Sequence, residues 1–440
     1  MSNNLIAIKK YYNIGKDVLF PINRSLTGYG IKKTLKIIKD NFPNLKIYKV
    51  KSGTKVFDWT IPAEWNVKDA YVLDKYNKKI INFKKNNLHL VGYSIPQNIY
   101  LNKNSLIKKI HSLPNQRNAI PYVTSYYNKD WGFCTSDIEK QNIVKNYHNN
   151  DLFKVVIKSE LNKKGNLNYG ELIIKGKSSQ EILISTYICH PSMANNELSG
   201  PIVAMSLIDH FQKKKNNKTL RFIFIPETIG SITYLSKNLN SLKENVIGGY
   251  NLTCIGDDRE HSCMFSKYGN SLSDKALIET YKKLRIKYKK YSFLDRGSDE
   301  RQYCSPGIDL PISSIFRTKY GKYPEYHTSL DDFNLVTLNG IKGGFKVSKT
   351  AIEILLKKNL PKNLILCEPQ MGKRGLYPSL VTTRSMLSSN HSKSIIEHYM
   401  NFLQYADGRN TLEEISKILK INLNLTKKIY RTLKKHHLLS

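Results

Sequence analysis

The chain lacks long apolar runs and paired cysteines, and each absence excludes a class of protein. No run approaches the ~20 consecutive apolar residues that a membrane-spanning helix requires. The six cysteines lie far apart and form no Cys-x-x-Cys pair, so neither a zinc ribbon nor a disulfide scaffold is indicated. The first ten residues lack the basic leader of a secretory signal peptide. We therefore expect a cytoplasmic protein with reduced thiols and no membrane contact.

Acidic residues are scarce. The chain has 35 of them and 70 lysines and arginines, which gives a formal net charge of +35. Such an excess is typical of proteins that bind nucleic acid. Most of these cations are lysine, however, whereas proteins that bind phosphates often use arginine for bidentate contacts. We favour a solvated, lysine-rich surface and keep nucleic-acid binding as the alternative. The hydrophobic content of 40% is high enough for a folded core.

The pattern along the 440 residues indicates more than one domain. Strand-like and helical segments alternate from about 150 to 355, which predicts an α/β fold with a central mixed sheet flanked by helices. Short β-rich pieces between proline and asparagine turns predict a small inserted β domain. The predicted boundaries are 1–43 and 126–360 for the discontinuous α/β domain, 44–125 for the inserted β domain and 361–440 for a C-terminal domain.

The C-terminal part, from about residue 395, has the pattern of a helix-turn-helix or winged-helix unit. The capping-box sequence Thr411-Leu412-Glu413-Glu414 begins one predicted helix. The next predicted helix carries a cluster of cations, namely Lys427, Lys428, Arg431, Lys434 and Lys435. Units of this kind contact DNA, or they dock other proteins or a second copy of the same chain. Both interpretations stay open.

Four potential metal ligands or bases, His190, Glu227, Asp257 and His327, follow strand-like apolar runs directly or after a loop. Each has an ordinary alternative role, such as packing, helix capping or turn formation. Four such strand ends together are harder to explain by capping, because open α/β sheets bind ligands at the carboxyl ends of their strands. Imidazole and carboxylate ligands together suit zinc. Glu227 is the candidate base that would activate a water molecule.

Several motifs share their residues and order with a known family. They are His190, Asn196-Glu197-Leu198-Ser199-Gly200, Glu227-Thr228-Ile229-Gly230-Ser231, Gly297-Ser298-Asp299 and Tyr326-His327-Thr328, with further pieces at 58–65, 131–134 and 368–372. In these motifs the chain resembles the zinc-dependent aminopeptidases that include bacterial secreted leucyl aminopeptidases and glutamate carboxypeptidase. It resembles more closely the bacterial aminopeptidase-like proteins found among polysaccharide biosynthesis genes, which have an inserted β domain and a winged-helix tail.

The resemblance implies a pair of zinc ions held by two histidines, a bridging aspartate, a glutamate and a second aspartate, beside a glutamate base. His190 and His327 match the two histidines. The bridging aspartate falls on Asn196, a neutral and weak ligand. This departure favours one zinc ion over two.

Two further departures concern the carboxylates. The family's pair of glutamates falls on Glu227 and Thr228, so Glu227 has to serve as either ligand or base. The second aspartate falls on Thr253, and Asp257 is a nearby carboxylate that could replace it. The predicted metal-binding residues are therefore His190, Asn196, Glu227, Asp257 and His327.

The predicted substrate-binding residues are Asp299, Glu300, Arg301 and Tyr326, of which Asp299 or Glu300 could hold a substrate ammonium. An exposed loop is the ordinary alternative for residues 297–301. We expect a zinc-dependent hydrolase of aminopeptidase type that cleaves an amide bond, with an aminoacyl or N-acylated sugar as substrate. The alternatives are a DNA-binding regulator whose core senses a ligand, and a non-catalytic protein with a metal-free site.

Overall fold

The computed structural model describes residues 3–376 and 395–439. The chain forms two compact units, Met1–Leu356 and Lys357–Ser440, which are described separately. The predicted C-terminal domain includes 377–394 and Ser440, which lie outside the described residues, as do Met1 and Ser2 at the start of the chain. Within the described ranges, no helix combines the length and the apolar character that crossing a membrane requires.

An eight-stranded mixed sheet forms the centre of the first unit. From one edge to the other its strands are Lys46–Lys51, Asn166–Ile174, Lys218–Ile225, Ser178–Tyr187, Val246–Leu252, Ile312–Phe316, Ser262–Met264 and Lys289–Tyr291. The four strands from Lys218–Ile225 to Ile312–Phe316 run parallel, so their carboxyl ends lie at one edge of the sheet. The prediction of an α/β fold with a central mixed sheet is confirmed.

Helices cover the sheet, as the sequence predicts. The α-helices in the described part of the first unit are Asn3–Asn13, Tyr29–Asn41, Lys103–Ile107, Asp137–Asn146, Ser199–Phe211, Ile229–Asn245, Leu272–Leu284, Glu300–Tyr303 and Leu338–Lys357, with π-helical turns at Ile14–Leu19 and Ala194–Leu198. The helix Ser199–Phe211 packs closely on the sheet, because a Cβ atom at Gly200 would overlap the carbonyl group of Leu252. This close approach brings the turn Ala194–Leu198 beside the strand ends.

A smaller, four-stranded antiparallel sheet accompanies the large one. Its strands, in order, are Lys79–Asn82, Glu64–Leu73, Leu152–Asn162 and Gln97–Asn102. Two short strand pairs join Lys55–Val56 to Trp59–Thr60 and Ile110–His111 to Phe133–Cys134. The small sheet thus takes one strand from beyond residue 125, while Lys46–Lys51 belongs to the large sheet. The boundaries 44 and 125 of an inserted domain stay a prediction.

The second unit is helical around its own apolar core. The α-helices in its described part are Ile395–Tyr405, Leu412–Leu419 and Leu423–Lys435. Its core includes Phe402, Ile415 and Leu433. The predicted capping box is confirmed, because Thr411 accepts a hydrogen bond from the backbone of Glu414 while the Glu414 side chain accepts one from the backbone of Thr411.

Candidate metal centre

The two sequence-distant histidines lie together at the carboxyl edge of the large sheet. His190 follows the buried strand Ser178–Tyr187 and is itself buried. His327 lies on the loop between Ile312–Phe316 and Leu338–Lys357, with a left-handed backbone φ of 57°. The centroids of the two imidazole rings are 5.5 Å apart. The parallel strands and this strained loop therefore bring both nitrogen ligands to one place.

Glu227 lies beside this pair, two residues after the strand Lys218–Ile225. Its Oε2 is 3.7 Å from Nε2 of His190. Its Oε1 accepts a hydrogen bond of 2.7 Å from the Ser298 hydroxyl, which fixes the orientation of the carboxylate. Burial and the neighbouring charge of Asp299 raise the pKa of Glu227. The carboxylate is thus held in an environment that favours taking up a proton.

Glu197, to which the sequence interpretation assigned no role, contacts His190. Its Oε2 lies 2.9 Å from Nδ1 of His190, and both side chains are buried. Because this contact engages Nδ1, the other ring nitrogen, Nε2, is left facing Glu227. Metal-binding histidines commonly direct their second nitrogen at a carboxylate, which fixes the ring and its tautomer. Glu197 is therefore placed to orient His190.

Arg24 supports Glu197 from the N-terminal segment. Its Nε lies 3.5 Å from Oε1 of Glu197, and neither side chain is exposed to solvent. The same Nε donates a 3.0 Å hydrogen bond to the carbonyl of His190, and Nη1 donates to the carbonyl of Leu19. Burial raises the pKa of Glu197, and the charge of Arg24 lowers it again. The guanidinium therefore favours the ionised carboxylate next to His190.

The histidine pair suits metal coordination because both rings are neutral. Burial, together with the charge of Arg24, lowers the pKa of His190 to about 3. Burial, with a contribution from His190, also lowers the pKa of His327 to about 3. Neutral imidazole is the form that donates its lone pair to a metal ion. Two neutral imidazoles beside a carboxylate form a donor set that fits zinc.

Cys189 also lies close to this centre. Cys189, His190 and Glu197 each offer a ligand atom within 4.8 Å of one another, and all three are buried. Burial raises the pKa of the Cys189 thiol well above its usual range, and its sulfur accepts a hydrogen bond from the backbone of Glu227. Because metals bind the thiolate, this environment disfavours Cys189 as a ligand. The face formed by Nε2 of His190 and Glu227 is the better candidate.

Asn196 lies on the π-helical turn and is already hydrogen-bonded. Its Oδ1 accepts a bond of 2.9 Å from the Tyr187 hydroxyl, and its buried Nδ2 has no partner among the described residues. The turn is held by Asp331, whose carboxylate accepts backbone hydrogen bonds from Asn195 and Asn196. Asn196 is therefore a neutral group beside the centre, and its role as a ligand stays a prediction.

Asp257 holds loops together in this structure. Its carboxylate accepts hydrogen bonds of 3.0 Å from the Asn195 side chain, 2.7 Å from the Thr318 hydroxyl and 2.9 Å from the Arg259 backbone. The backbone N–H of Thr318 donates a fourth, also of 2.9 Å, and together these donors fix its orientation toward the turn and the neighbouring loop. Its role as a replacement metal ligand is untested and stays a prediction.

The acidic pair predicted to bind a substrate ammonium is deeply buried. Oε1 of Glu300 accepts a 2.6 Å hydrogen bond from the Tyr320 hydroxyl and two from the backbone of 297–298. Oδ1 of Asp299 accepts hydrogen bonds from the backbone of Thr228 and the hydroxyl of Ser231, each 2.8 Å. These contacts support the loop that carries Ser298. Ammonium binding by Asp299 or Glu300 stays a prediction.

Arg301 and Tyr326 contact residues of the centre. Nη2 of Arg301 donates a 2.7 Å hydrogen bond to the hydroxyl of Thr228, the neighbour of Glu227. The ring of Tyr326 stacks on His327 with a centroid distance of 4.0 Å. Both side chains are partly exposed, and their role in substrate binding stays a prediction.

Comparison with known proteins identifies relatives over nearly the whole chain. Residues 12–359 match the family described as domain of unknown function (DUF4910), and residues 359–440 match a winged helix-turn-helix family. A relative in Clostridium acetobutylicum, assigned by name to polysaccharide biosynthesis with an aminopeptidase-like domain, is 40% identical over 407 residues, covering 92% of this chain and 90% of its own. The winged-helix prediction for the C-terminal part is confirmed.

Solved structures show the same fold. The crystal structure of a protein from Clostridium acetobutylicum, assigned by name as a peptidase, is 38% identical with a TM-score of 0.78, covering 100% of this chain and 97% of that one. A zinc aminopeptidase from Bacillus subtilis is 12% identical with a TM-score of 0.60, covering 81% of this chain and 95% of that one. The first unit therefore has an aminopeptidase-like fold.

Proposed function

Because the chain belongs to the DUF4910 family, whose fold here is aminopeptidase-like, we propose that it is a zinc-dependent hydrolase that cleaves an amide bond. This proposal is supported by two neutral imidazole rings, those of His190 and His327, whose centroids are 5.5 Å apart. Oε2 of Glu227 lies 3.7 Å from Nε2 of His190. His190 and His327 would hold the metal ion. A zinc ion bound there would supply Lewis acidity to polarise an amide carbonyl and to acidify a water molecule.

Glu227 performs the proton transfers of the proposed reaction. Oε2 accepts a proton as the water oxygen attacks the carbonyl carbon, and the same carboxyl then delivers that proton to the departing amine nitrogen. The Ser298 hydroxyl holds Oε1, so the free oxygen keeps its direction toward the histidine pair. Burial supports this role because it brings the carboxyl pKa closer to neutrality. The water, the amide and Glu227 together account for every proton.

The proposed substrate is an aminoacyl or N-acylated sugar, and the proposed metal content is one ion per chain. The sugar is suggested by the name of the Clostridium relative, which assigns that protein to polysaccharide biosynthesis. A single ion is favoured by the neutral group at Asn196, whose oxygen is bound to Tyr187. At this position a second cation would have the neutral amide of Asn196 as its ligand instead of a carboxylate.

Removing the metal tests the proposal directly. We expect purified protein to contain about one zinc per chain and to cleave an aminoacyl p-nitroanilide or an N-acylated amino sugar, because the donor set fits zinc. A chelator should abolish cleavage and added zinc should restore it. The variant His327→Ala should lose the metal, whereas His148→Ala, at an exposed histidine of the same unit, should keep it. Metal-free protein that cleaves at the same rate would disprove the proposal.

The C-terminal unit supports a second candidate function, in which it contacts nucleic acid. The winged-helix match covers residues 359–440, and the helix Leu423–Lys435 carries five lysines and arginines and no acidic residue. A positively charged helix of this kind binds phosphates by releasing counterions, so its affinity falls as salt increases. A DNA-binding regulator is the resulting alternative.

Removing positive charge from this helix tests whether it contacts nucleic acid. The double variant Lys427→Gln/Lys428→Gln should weaken duplex binding at low salt and reduce the salt-dependence slope by about two. The variant Lys163→Gln/Lys164→Gln, on an exposed turn of the first unit, removes the same charge as a control. Equal losses in both variants, measured by fluorescence anisotropy, would indicate non-specific attraction to a basic surface.

A further inference from the structure

Tyr122, which lies outside the predicted site, packs against the candidate metal centre, and Tyr126 contacts Tyr122. The ring of Tyr122 lies 5.3 Å from the ring of His190 and 5.2 Å from that of His327. The backbone N–H of Tyr122 donates a 2.8 Å hydrogen bond to the carbonyl of His327. Ser329 and Ile120 join the same two segments through a backbone hydrogen bond of 2.8 Å. Tyr122 is therefore fixed against both imidazoles.

The hydroxyl of Tyr122 lies 2.8 Å from the hydroxyl of Tyr126. Only one of the two phenolic hydrogens lies between these oxygens, so the pair keeps one O–H group that is free to donate. Within residues 3–376 and 395–439, the structure gives neither hydroxyl another hydrogen-bond acceptor. Both side chains are partly exposed. A donor with no protein acceptor thus lies at the edge of the centre.

The backbone of Tyr126 is strained, and the charge of Glu227 acts on its hydroxyl. Its φ of 40° is in the left-handed region that favours glycine. The preceding segment is held by hydrogen bonds of 2.9 Å between Gly92 and Val123 and between Ser125 and Gly92. Burial is the main cause that raises the pKa of Tyr126, so its hydroxyl stays protonated. Strained residues held by their surroundings are concentrated at functional sites.

We propose that Tyr126 donates a hydrogen bond to the carbonyl oxygen of the amide that is cleaved and stabilises the negative charge that develops there. Tyr122 donates its own hydrogen to the oxygen of Tyr126 and thereby positions it. The phenolic proton stays on Tyr126 throughout, so the step forms and breaks no covalent bond. This inference rests on the proposed amide hydrolysis. It assigns part of the active site to the loop that follows the β-rich region.

Removal of single hydroxyl groups tests this assignment, with leucine p-nitroanilide as the probe and full-length, zinc-loaded protein. Tyr126→Phe should lower kcat by about 10²-fold, the usual effect of losing one preorganised donor. KM, zinc content and thermal midpoint should stay at the wild-type values, because the ring remains. Tyr127→Phe is the matched control, since that neighbouring hydroxyl contacts the backbone of Thr60.

The double variant Tyr122→Phe/Tyr126→Phe tests the role of Tyr122. Tyr122→Phe should lower kcat less than Tyr126→Phe does, and the double variant should be no slower than Tyr126→Phe alone, because the two hydroxyls act as one unit. A wild-type kcat for Tyr126→Phe would overturn the inference, even if Glu227→Gln is inactive. Loss of zinc or of thermal stability in Tyr126→Phe would also overturn it, because the role would then be structural. Full activity of Glu227→Gln would mean that another group is the base. Absence of amide cleavage by the zinc-loaded wild-type protein would overturn the proposed hydrolysis and, with it, this inference.

Discussion

Glutamine in place of Glu227 is expected to slow amide cleavage by about 10²–10⁴-fold, the contribution typical of a general base. Glutamine has the shape of glutamate, and its carbonyl can still accept the hydrogen bond that Ser298 now donates at 2.7 Å. What it lacks is an oxygen that takes up a proton. The loss should appear in kcat, measured with the substrate on which the wild-type protein is active.

The matched control for this variant is Glu353→Gln, which removes a carboxylate that pairs with Lys214 and Lys349 away from the centre. Its activity should equal that of the wild-type protein. Zinc content should be measured for both variants, because Glu227 lies close enough to His190 to serve as a ligand. If Glu227→Gln keeps its zinc and cleaves at the wild-type rate, another group must be the base.

The parts of this site that follow directly from strands could be predicted from the sequence. The runs that precede His190 and Glu227 are apolar and form central strands, buried on both faces. Because parallel strands end at one edge of the sheet, the two side chains are brought together. The capping box at Thr411 was also predictable, since its hydrogen bonds join residues only three apart. Local patterns of this kind contain enough information to place such residues.

Contacts between distant segments were not predictable in the same way. Asp331 holds the turn that carries Asn196 across 135 residues, and Arg24 reaches the carbonyl of His190 across 166. Asn196 was chosen by alignment to a family ligand, yet the neighbouring Glu197 is the residue whose side chain meets His190. On a π-helical turn, adjacent side chains point in different directions, so resemblance alone does not show which one faces the histidine.

Tyr122 and Tyr126 were missed for a related reason. Tyr122 lies at the end of the predicted β-rich region 44–125, and Tyr126 is the first residue after it, so no periodic pattern places either residue. Their position depends on backbone hydrogen bonds to the His327 loop. An available signal was the density of tyrosine in Pro121-Tyr122-Val123-Thr124-Ser125-Tyr126-Tyr127, a segment between two predicted domains. Aromatic residues clustered in a loop often contribute to binding rather than to the core.

Replacing Arg24 by methionine is expected to lower the free energy of unfolding by about 3–5 kcal/mol, because it leaves the buried carboxylate of Glu197 without its counter-ion. Both side chains are fully buried, so water does not compensate for the lost charge. The change also removes the hydrogen bonds to the carbonyls of Leu19 and His190. Urea denaturation measures the loss, with Arg285→Met as a control at a cation in a helix C-cap.

The variant Glu197→Gln distinguishes the role of Glu197 as the partner of Arg24 from its role in orienting His190. Because Glu197 orients His190 through Nδ1, we expect zinc affinity to fall by about 10–100-fold, measured by competition with a chelator. In the double variant Arg24→Met/Glu197→Gln no buried charge is left unpaired, so its stability should exceed that of Arg24→Met alone. Zinc affinity should nevertheless stay low in the double variant, since glutamine still replaces the orienting carboxylate. Recovery of both stability and zinc affinity would mean that Glu197 acts only as the partner of Arg24.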